Sequence, residues 1–273
     1  MHSKLCLPAF EPDGSTPSEA AIDSAVAKFR ASGYLEIPEV FDPSFVLDMQ
    51  RAFLADQGGR TNEAMVKDSR LKEVGPGRFL SCLEMKPPFS TPTLYANPFL
   101  LRFMARVLGP GFKLDSFNCV CAYAGAPDQR RHRDHPALFS KEKADSDCFA
   151  VQVSIPLIDL SPATGTTAML PGSHLLPVAA DLEGHDIELP FPRMGSCCVM
   201  DYRLSHRGTG NSSDRDRPIL YLLYTRQWFV DMMNFRPQPA IRIRPQTLAQ
   251  VPTEHLPLFD RAAQSLCDST WWL

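Results

Sequence analysis

The chain has 273 residues, 44% of them hydrophobic and 22% charged, which is the composition of a globular protein with a substantial core. Its formal net charge of -3 argues against nucleic acid or an anionic membrane as the main partner. The sequence has neither a run of about eighteen apolar residues nor the apolar stretch of a secretory signal. Its cysteines form no Cys-x-x-Cys pair, so we expect reduced thiols in a cytoplasmic protein with no membrane partner.

The hydrophobic pattern divides the chain into four parts of one domain, 1–273. A loose arm (1–15) is expected first, because it carries Pro8, Pro12 and Gly14. A helical part (16–112), a strand-rich core (113–230) and a C-terminal extension (231–273) follow.

The first helix has clear signals at both ends. Thr16 is the predicted N-cap, Pro17 the first helical residue, and Glu19 completes a capping box. The helix should run to about Ala31 and end at Gly33, which suits a left-handed cap.

A short strand and two further helices are predicted next. Residues 34–38 form a strand stopped by proline, Asp42 opens the second helix, and Asn97 precedes the third, at 99–108. The predicted apolar face of the second helix consists of Phe45, Val46, Met49, Phe53 and Leu54.

From about Lys113 the hydrophobic period becomes that of strands. Short apolar runs separated by Pro, Gly, Asp and Ser indicate an antiparallel sandwich or jelly roll. The helices should pack on one outer sheet face, giving an α+β fold. The runs cover 117–123, 148–158, 166–170, 196–200 and 218–228.

Two imidazoles and a carboxylate on separate segments predict a metal site. His132 and Asp134 are two residues apart, which in a strand puts both side chains on one face, and His206 follows a later strand. These are the ligands of a non-haem Fe(II) oxygenase, with positions left open for a chelating 2-oxo acid and O2. His135 and His174 are alternative ligands, although strand parity favours His132 over His135. A solvated charged loop is the alternative to a metal site.

An arginine at the head of a strand predicts an anion site. Arg217 precedes the apolar run 219–224, where a guanidinium enters a dry pocket and needs an anionic partner. The distal carboxylate of 2-oxoglutarate would match its planar fork. Arg215 has the same strand parity, but the position at the strand start favours Arg217.

Together these segments resemble the phytanoyl-CoA dioxygenase (PhyH-like) family of Fe(II)/2-oxoglutarate oxygenases, in its natural-product branch. The matching residues are His132-Arg133-Asp134, the stretch from Thr164 to Leu170-Pro171-Gly172-Ser173-His174, and His206-Arg207-Gly208 with Asn211 and Arg217.

The resemblance implies a double-stranded β-helix core, that is, a jelly roll with a cupin-like arrangement. It implies that His132, Asp134 and His206 bind Fe(II), and that Arg217 holds the C5 carboxylate of 2-oxoglutarate.

Further roles follow from the same resemblance. Gln129 and Thr167 look like the residues that contact the co-substrate in related enzymes, and His174 is expected to buttress its turn instead of binding metal. Family members that halogenate replace the metal carboxylate with a small residue, so the intact Asp134 favours hydroxylation-type chemistry.

We therefore expect a dioxygenase that uses Fe(II), 2-oxoglutarate and O2. It would oxidise an unactivated C–H of a small-molecule secondary metabolite, by hydroxylation, desaturation or rearrangement, and release succinate and CO2. An acyl-CoA or amino-acid hydroxylase, a zinc hydrolase and a non-catalytic binding protein are the alternatives.

Two further expectations concern the substrate and the assembly. A homodimer through the terminal segments is expected by analogy with the family. The candidate substrate-pocket residues are Phe79, Met85, Tyr123, His135 and Phe139, chosen by proximity in sequence.

Overall fold

The computed structural model describes residues 17–57, 71–135, 138, 147–234 and 241–265. Its helices are α1 (Glu19–Ser32), α2 (Pro43–Gln57), α3 (Pro92–Tyr95), α4 (Pro98–Leu108), α5 (Pro245–Leu248) and α6 (Asp260–Ser265). Two 3-10 helices span Ser173–Leu175 and Thr253–Phe259. Within these residues, none of the helices has the length and apolar character needed to cross a membrane.

The strands are β1 (Tyr34–Ile37), β2 (Leu71–Gly75), β3 (Arg78–Ser81), β4 (Lys113–Ala122), β5 (Ala150–Pro156), β6 (Thr167–Met169), β7 (Cys197–Asp201), β8 (His206–Gly208) and β9 (Arg217–Thr225). A seven-stranded sheet has the order β1-β7-β5-β9-β4-β3-β2, and every neighbouring pair is antiparallel. The strands β6 and β8 form a second, smaller antiparallel sheet.

Alternation along the strands gives the large sheet two different faces. On β9, Leu220, Leu222 and Tyr224 belong to the main hydrophobic core, whereas Ile219 and Tyr221 line an internal cavity. The same parity holds on β3, β4, β5 and β7. One face of the sheet therefore packs on the helices, and the other faces the small sheet and the cavity.

The helices cover the outer face as predicted. Phe29 of α1 meets Phe103 of α4 edge to face, with ring centroids 5.3 Å apart. Asn97 caps α4 by accepting hydrogen bonds from the backbone amides of Phe99 and Leu100, so the predicted start of this helix is confirmed. The left-handed Gly33, with φ of 83°, ends α1 as expected.

Four details differ from the sequence predictions. Ser18 caps α1, because its hydroxyl accepts the amide of Ala21, whereas the predicted cap Thr16 lies outside the described residues. Leu54 is 52% exposed, since it lies at the edge of the apolar face of α2. The strands β2 and β3 were not predicted and extend the large sheet within the part expected to be helical. The three-residue strand β8 is too short to give a periodic signal.

The small sheet is extended by the segment that leads to the first predicted metal ligand. His132 and His206 form an antiparallel bridge with hydrogen bonds of 2.9 Å in both directions. The amide of Gln129 donates to the carbonyl of Gly208 in the same ladder. This pairing brings together two segments that are far apart in sequence.

Candidate active site

The three predicted metal ligands converge at the bridge. Oδ1 of Asp134 lies 3.7 Å from Nε2 of His132 and 3.6 Å from Nε2 of His206. One ligand atom from each residue falls within 4.8 Å of the other two. Within the described residues the arrangement fits one ion bound on one side by three protein atoms, as in the facial sites of non-haem iron enzymes.

Both imidazoles are oriented by their own backbone. Nδ1 of His132 lies 2.9 Å from the carbonyl of Arg130, and Nδ1 of His206 lies 3.0 Å from that of Leu204. A carbonyl can only accept, so each Nδ1 carries the proton and each Nε2 presents a lone pair to the metal. Burial also lowers the pKa of His206 below its usual value, against the opposing charge of Asp134, and this favours the neutral ligand form.

The metal position opens into a cavity of about 650 Å³ between the two sheets. Oδ2 of Asp134 is buried and has no hydrogen-bond partner among the described residues. A buried carboxylate oxygen without a partner is costly unless a cation neutralises it. The donor set and this oxygen therefore fit a bound metal ion.

Two buried arginines face the same cavity away from the metal ligands. Nη1 of Arg217 donates to the carbonyls of Thr164 and Thr209 at 2.8 and 3.0 Å, and Nη2 of Arg78 donates to that of Thr209 at 2.7 Å. Nε of Arg217, and Nε and Nη1 of Arg78, are buried without partners among the described residues. Burial lowers the pKa of Arg78 to about 10, helped by the charge of Arg217, so Arg78 remains a cation at neutral pH. Burial also lowers the pKa of Arg217.

Strand register explains why the two guanidiniums meet. Ala122 of β4 pairs with Arg78 on one side and with Arg217 on the other. All three residues line the cavity, and the methyl group of Ala122 leaves room for both long side chains above it. The charge of Asp128 acts on both arginines, but Asp128 is itself paired with Arg207. The donors of Arg78 and Arg217 that lack partners among the described residues therefore form a site for a carboxylate.

The match to a known family decides the identity. A family model described as phytanoyl-CoA dioxygenase (PhyH) matches residues 29–219, which include the ligands, Arg78 and Arg217. The chain belongs to the phytanoyl-CoA dioxygenase (PhyH) family. PhyH enzymes use Fe(II), 2-oxoglutarate and O2, and the predicted enzyme class and cofactors are confirmed at this level.

Solved structures agree with the PhyH assignment. The alpha-ketoglutarate-dependent epimerase SnoN from nogalamycin biosynthesis has 20% identity and a TM-score of 0.57 over 77% of this chain and 84% of its own. SnoN in complex with Fe3+, alpha ketoglutarate and nogalamycin RO has 18% identity and a TM-score of 0.57, over 77% of this chain and 85% of its own. HygX from Streptomyces hygroscopicus, with nickel and 2-oxoglutarate bound, has 18% identity and a TM-score of 0.56, over 76% of this chain and 88% of its own. These likenesses confirm the predicted jelly roll with its helices on one sheet.

Thr167 lies on the wall of the PhyH cavity. It is the first residue of β6 and contacts Tyr221 of β9, which is not among the residues predicted from the sequence. Burial raises the pKa of Tyr221 to about 12, against the charge of Arg217 and the hydrogen bond with Thr167. Both side chains therefore offer neutral hydroxyl groups beside the arginines, and the predicted contact of Thr167 with 2-oxoglutarate stays a prediction.

Gln129 also lines the cavity, but its amide is already paired. Its Nε2 donates to the carbonyl of Val74 at 2.7 Å, and its Oε1 accepts the amide of Gly208 at 2.9 Å. In this conformation Gln129 ties β2 to β8. The co-substrate contact predicted for it stays a prediction and would require one of these bonds to open.

Close packing fixes the guanidinium of Arg217. Gly165 has a φ of 75°, and a Cβ atom at this position would overlap the carbonyl of Gly210 and Nη1 of Arg217. The glycine of the Gly-Thr turn therefore makes room for the guanidinium, because a larger residue at position 165 would displace Arg217.

The alternative residues lie elsewhere. His174 is buried and its Nε2 lies 3.1 Å from the carbonyl of Arg30, so it buttresses the turn against α1 as expected. Arg215 is exposed at the surface, whereas Arg217 is 4% exposed. His135 packs against Phe229, with ring centroids 5.1 Å apart.

The substrate-pocket residues proposed by sequence proximity were mostly wrong. Phe79 and Tyr123 belong to the main hydrophobic core, with ring centroids 5.8 Å apart. Phe79 has the opposite parity on β3 to the cavity residues Arg78 and Leu80, and Tyr123 directly follows β4. Met85 is buried in the same core. Phe139 lies outside the described residues.

Arg78 could have been found from the sequence. Arg78-Phe79-Leu80 places an arginine at the head of an apolar run, which is the pattern that identified Arg217. Tyr202 and Asn234, which also line the cavity, give no such signal. Asn234 comes from beyond the last strand, so only the tertiary structure reveals that it belongs to the site.

Proposed function

We propose that this PhyH enzyme oxidises an unactivated C–H bond of a small-molecule secondary metabolite, with 2-oxoglutarate as co-substrate. The observation that carries the proposal is the convergence, in one cavity, of three metal-ligand atoms and two buried guanidiniums with unpaired donors. A metal site alone would also suit a zinc hydrolase, but that function leaves the two arginines unexplained.

Each group of residues has a defined task. His132, Asp134 and His206 would hold Fe(II) on one side. Arg217, joined by Arg78, would bind the C5 carboxylate of 2-oxoglutarate and so orient its 2-oxo acid end towards the metal. Bound Fe(II) with 2-oxoglutarate and O2 supplies the oxidation of the C–H bond, with succinate and CO2 as co-products.

The cavity wall supports an apolar substrate body. Among its lining residues, Val74, Leu80, Val120, Met169 and Met200 are apolar, so part of the wall offers a hydrocarbon surface to a substrate. SnoN, a structural neighbour, was solved with nogalamycin RO. We infer a largely hydrocarbon metabolite oxidised by hydroxylation, desaturation or rearrangement, and we rank an acyl-CoA or amino-acid substrate below it.

Anaerobic reconstitution tests the proposal. Fe(II) with 2-oxoglutarate should give a visible charge-transfer band, and admission of oxygen should give succinate. The variant His132→Ala should abolish metal binding, whereas Arg217→Ala should weaken 2-oxoglutarate binding and spare the metal. Absence of both band and succinate from the wild-type protein, or equal loss of metal in both variants, would contradict the proposal.

The assembly and cellular location also remain predictions. A homodimer through the terminal segments would appear as doubled mass in light scattering. Residues 1–16 and 266–273 lie outside the described residues. The cytoplasmic location is checked by fractionation of the producing cells.

A further inference from the structure

A turn beyond the last strand reaches back to the metal carboxylate. Nδ2 of Asn234 lies 3.1 Å from the main-chain carbonyl of Asp134 and donates to it, although the two residues are 100 positions apart. The same amide nitrogen lies 3.1 Å from Oη of Tyr202 and 2.8 Å from Oδ2 of Asp231. Asn234 and Tyr202 both line the cavity. The C-terminal extension therefore enters the active site.

The three metal ligands are not held equally well by the sheets. His132 and His206 fix each other through the two hydrogen bonds of their bridge. Asp134 lies two residues further on, in a bend outside the ladder. Within the described part of the chain, the side-chain amide of Asn234 donates a hydrogen bond to the main-chain carbonyl of Asp134. Asp134 therefore has two supports outside the ladder: the amide of Asn234, and the preceding Arg133, whose guanidinium donates to the carbonyls of Ser173, Leu176 and Pro177.

The turn is rigid enough to act as a support. Oδ1 of Asp231 accepts the amides of Met233 and Asn234 at 2.9 and 3.0 Å, and its Oδ2 accepts the hydroxyl of Tyr202 at 2.5 Å. The amide of Asp231 donates to Oδ2 of Asp115 on β4 at 3.2 Å. The side chain of Asp231 is thus surrounded by donors that close the turn and join it to the large sheet.

The turn also forms hydrogen bonds with residues near both edges of the large sheet. Lys72 on the edge strand β2 donates from Nζ to the carbonyl of Asn234 at 2.8 Å. Tyr202 directly follows β7, near the opposite edge. One short turn therefore joins both sides of the large sheet beside Asp134.

We propose that Asn234 is a positioning residue for the metal site: it holds the Asp134 peptide, and through it the carboxylate, in place for the ion. This proposal rests on the proposed function, because it assumes that His132, Asp134 and His206 bind the metal. Outer partners of metal ligands commonly change metal affinity by about 10–100-fold when removed. The Asp231–Asn234 turn is therefore part of the metal site, although it supplies no ligand.

Cobalt binding tests the proposal without substrate or turnover. Co(II) is titrated anaerobically into the full chain, and the visible d–d bands report both affinity and coordination. Asn234→Ala should weaken Co(II) binding by about 10–100-fold and change the band shape. Gln227→Ala, an exposed amide on the same segment, is the matched control and should bind Co(II) like the wild-type protein. Thermal unfolding checks that each variant is folded.

A double-variant cycle shows whether Asn234 acts through Asp134. If it does, Asp134→Ala and Asp134→Ala/Asn234→Ala should bind Co(II) with equal affinity. Should Asn234→Ala fail to fold, Asn234→Leu keeps the shape of the side chain without its donors and must show the same loss.

Two results would overturn the proposal. One is wild-type Co(II) affinity and band shape in the Asn234→Ala variant. The other is a loss of Co(II) affinity on Asn234→Ala that is the same in the wild-type protein and in Asp134→Ala. A wild-type protein that binds no Co(II) would instead remove the proposed function itself.

Discussion

At the scale of single residues, the site contains two buried guanidinium groups with donors that have no partner among the described residues. Arg78 is 1% exposed, has two buried donors without partners, and shares the carbonyl of Thr209 with Arg217. Such an arrangement costs folding free energy, because a buried guanidinium is desolvated and two like charges repel. A dicarboxylate ligand would offset this cost by accepting hydrogen bonds from the donors that lack partners. The two arginines therefore favour the binding of an anion.

Replacing Arg78 should therefore separate stability from binding. We expect Arg78→Met to leave the free energy of unfolding of the ligand-free protein unchanged or to raise it, since an apolar side chain fills the space without a buried charge. The same variant should lower the affinity for 2-oxoglutarate by roughly 10–100-fold, because a charge-assisted hydrogen bond contributes about 1.5–3 kcal/mol to the binding free energy. Urea unfolding and anaerobic calorimetry with Co(II) present measure the two quantities.

The specificity control for Arg78 is a ligand without the distal charge. 2-Oxopentanoate has the same chain length as 2-oxoglutarate but ends in a methyl group. Its affinity should be nearly the same in the wild-type protein and in Arg78→Met. Equal weakening of both ligands would mean that Arg78 shapes the cavity and does not bind the carboxylate.

At the scale of elements, sheet alternation decided what could be predicted. The apolar runs gave the long strands, and the position of Arg217 at the head of one gave the anion site. His132 and Asp134 were assigned to a strand, yet His132 lies in an isolated bridge and Asp134 in a bend. The pairing of Arg78, Ala122 and Arg217 could not be predicted, because it depends on the neighbour order of β3, β4 and β9, which no local pattern fixes.

The Pro-Gly-Ser-His turn shows the difference between a family motif and a metal ligand. His174 follows the left-handed Gly172 in a 3-10 helix, and its Nε2 lies against the last turn of α1. Gly33 at the end of α1 approaches the same ring, and a Cβ atom there would overlap Nδ1 of His174. The histidine therefore joins the small sheet to the helices, and it is not one of the three residues whose ligand atoms converge.

Two histidine variants should behave in opposite ways for this reason. His174→Ala removes a buried side chain and its hydrogen bond, so we expect a loss of roughly 2–4 kcal/mol in the free energy of unfolding with Co(II) affinity retained. His132→Ala removes a side chain that is 40% exposed, so stability should change little while Co(II) binding is lost. Urea unfolding and Co(II) titration of both variants give the comparison. Loss of Co(II) binding in a folded His174→Ala protein would return His174 to the list of ligands.

At the scale of the whole molecule, the cavity takes its lining residues from three of the four parts of the chain. Lys72 and Arg78 come from the first part, the metal ligands and Arg217 from the jelly roll, and Asn234 from the C-terminal extension. The site therefore exists only in the complete fold. Ligands that bind there are bound by the native state and not by the unfolded chain, so their binding free energy adds to the stability of the whole protein.

Thermal unfolding should show this linkage in two separable steps. Co(II) at about one hundred times its dissociation constant adds about 2.7 kcal/mol, and 2-oxoglutarate adds a second increment of similar size when it is equally saturating. For a protein of this size each increment corresponds to roughly 5–10 °C in Tm.

Arg217→Ala should keep the first increment and lose most of the second, because its metal ligands are intact while the anchor for the distal carboxylate is gone. His132→Ala should lose the first and most of the second, since the 2-oxo acid end of the ligand then has no metal to chelate. A 2-oxoglutarate increment that is the same with and without metal would contradict a shared site, since it would place the co-substrate away from His132, Asp134 and His206.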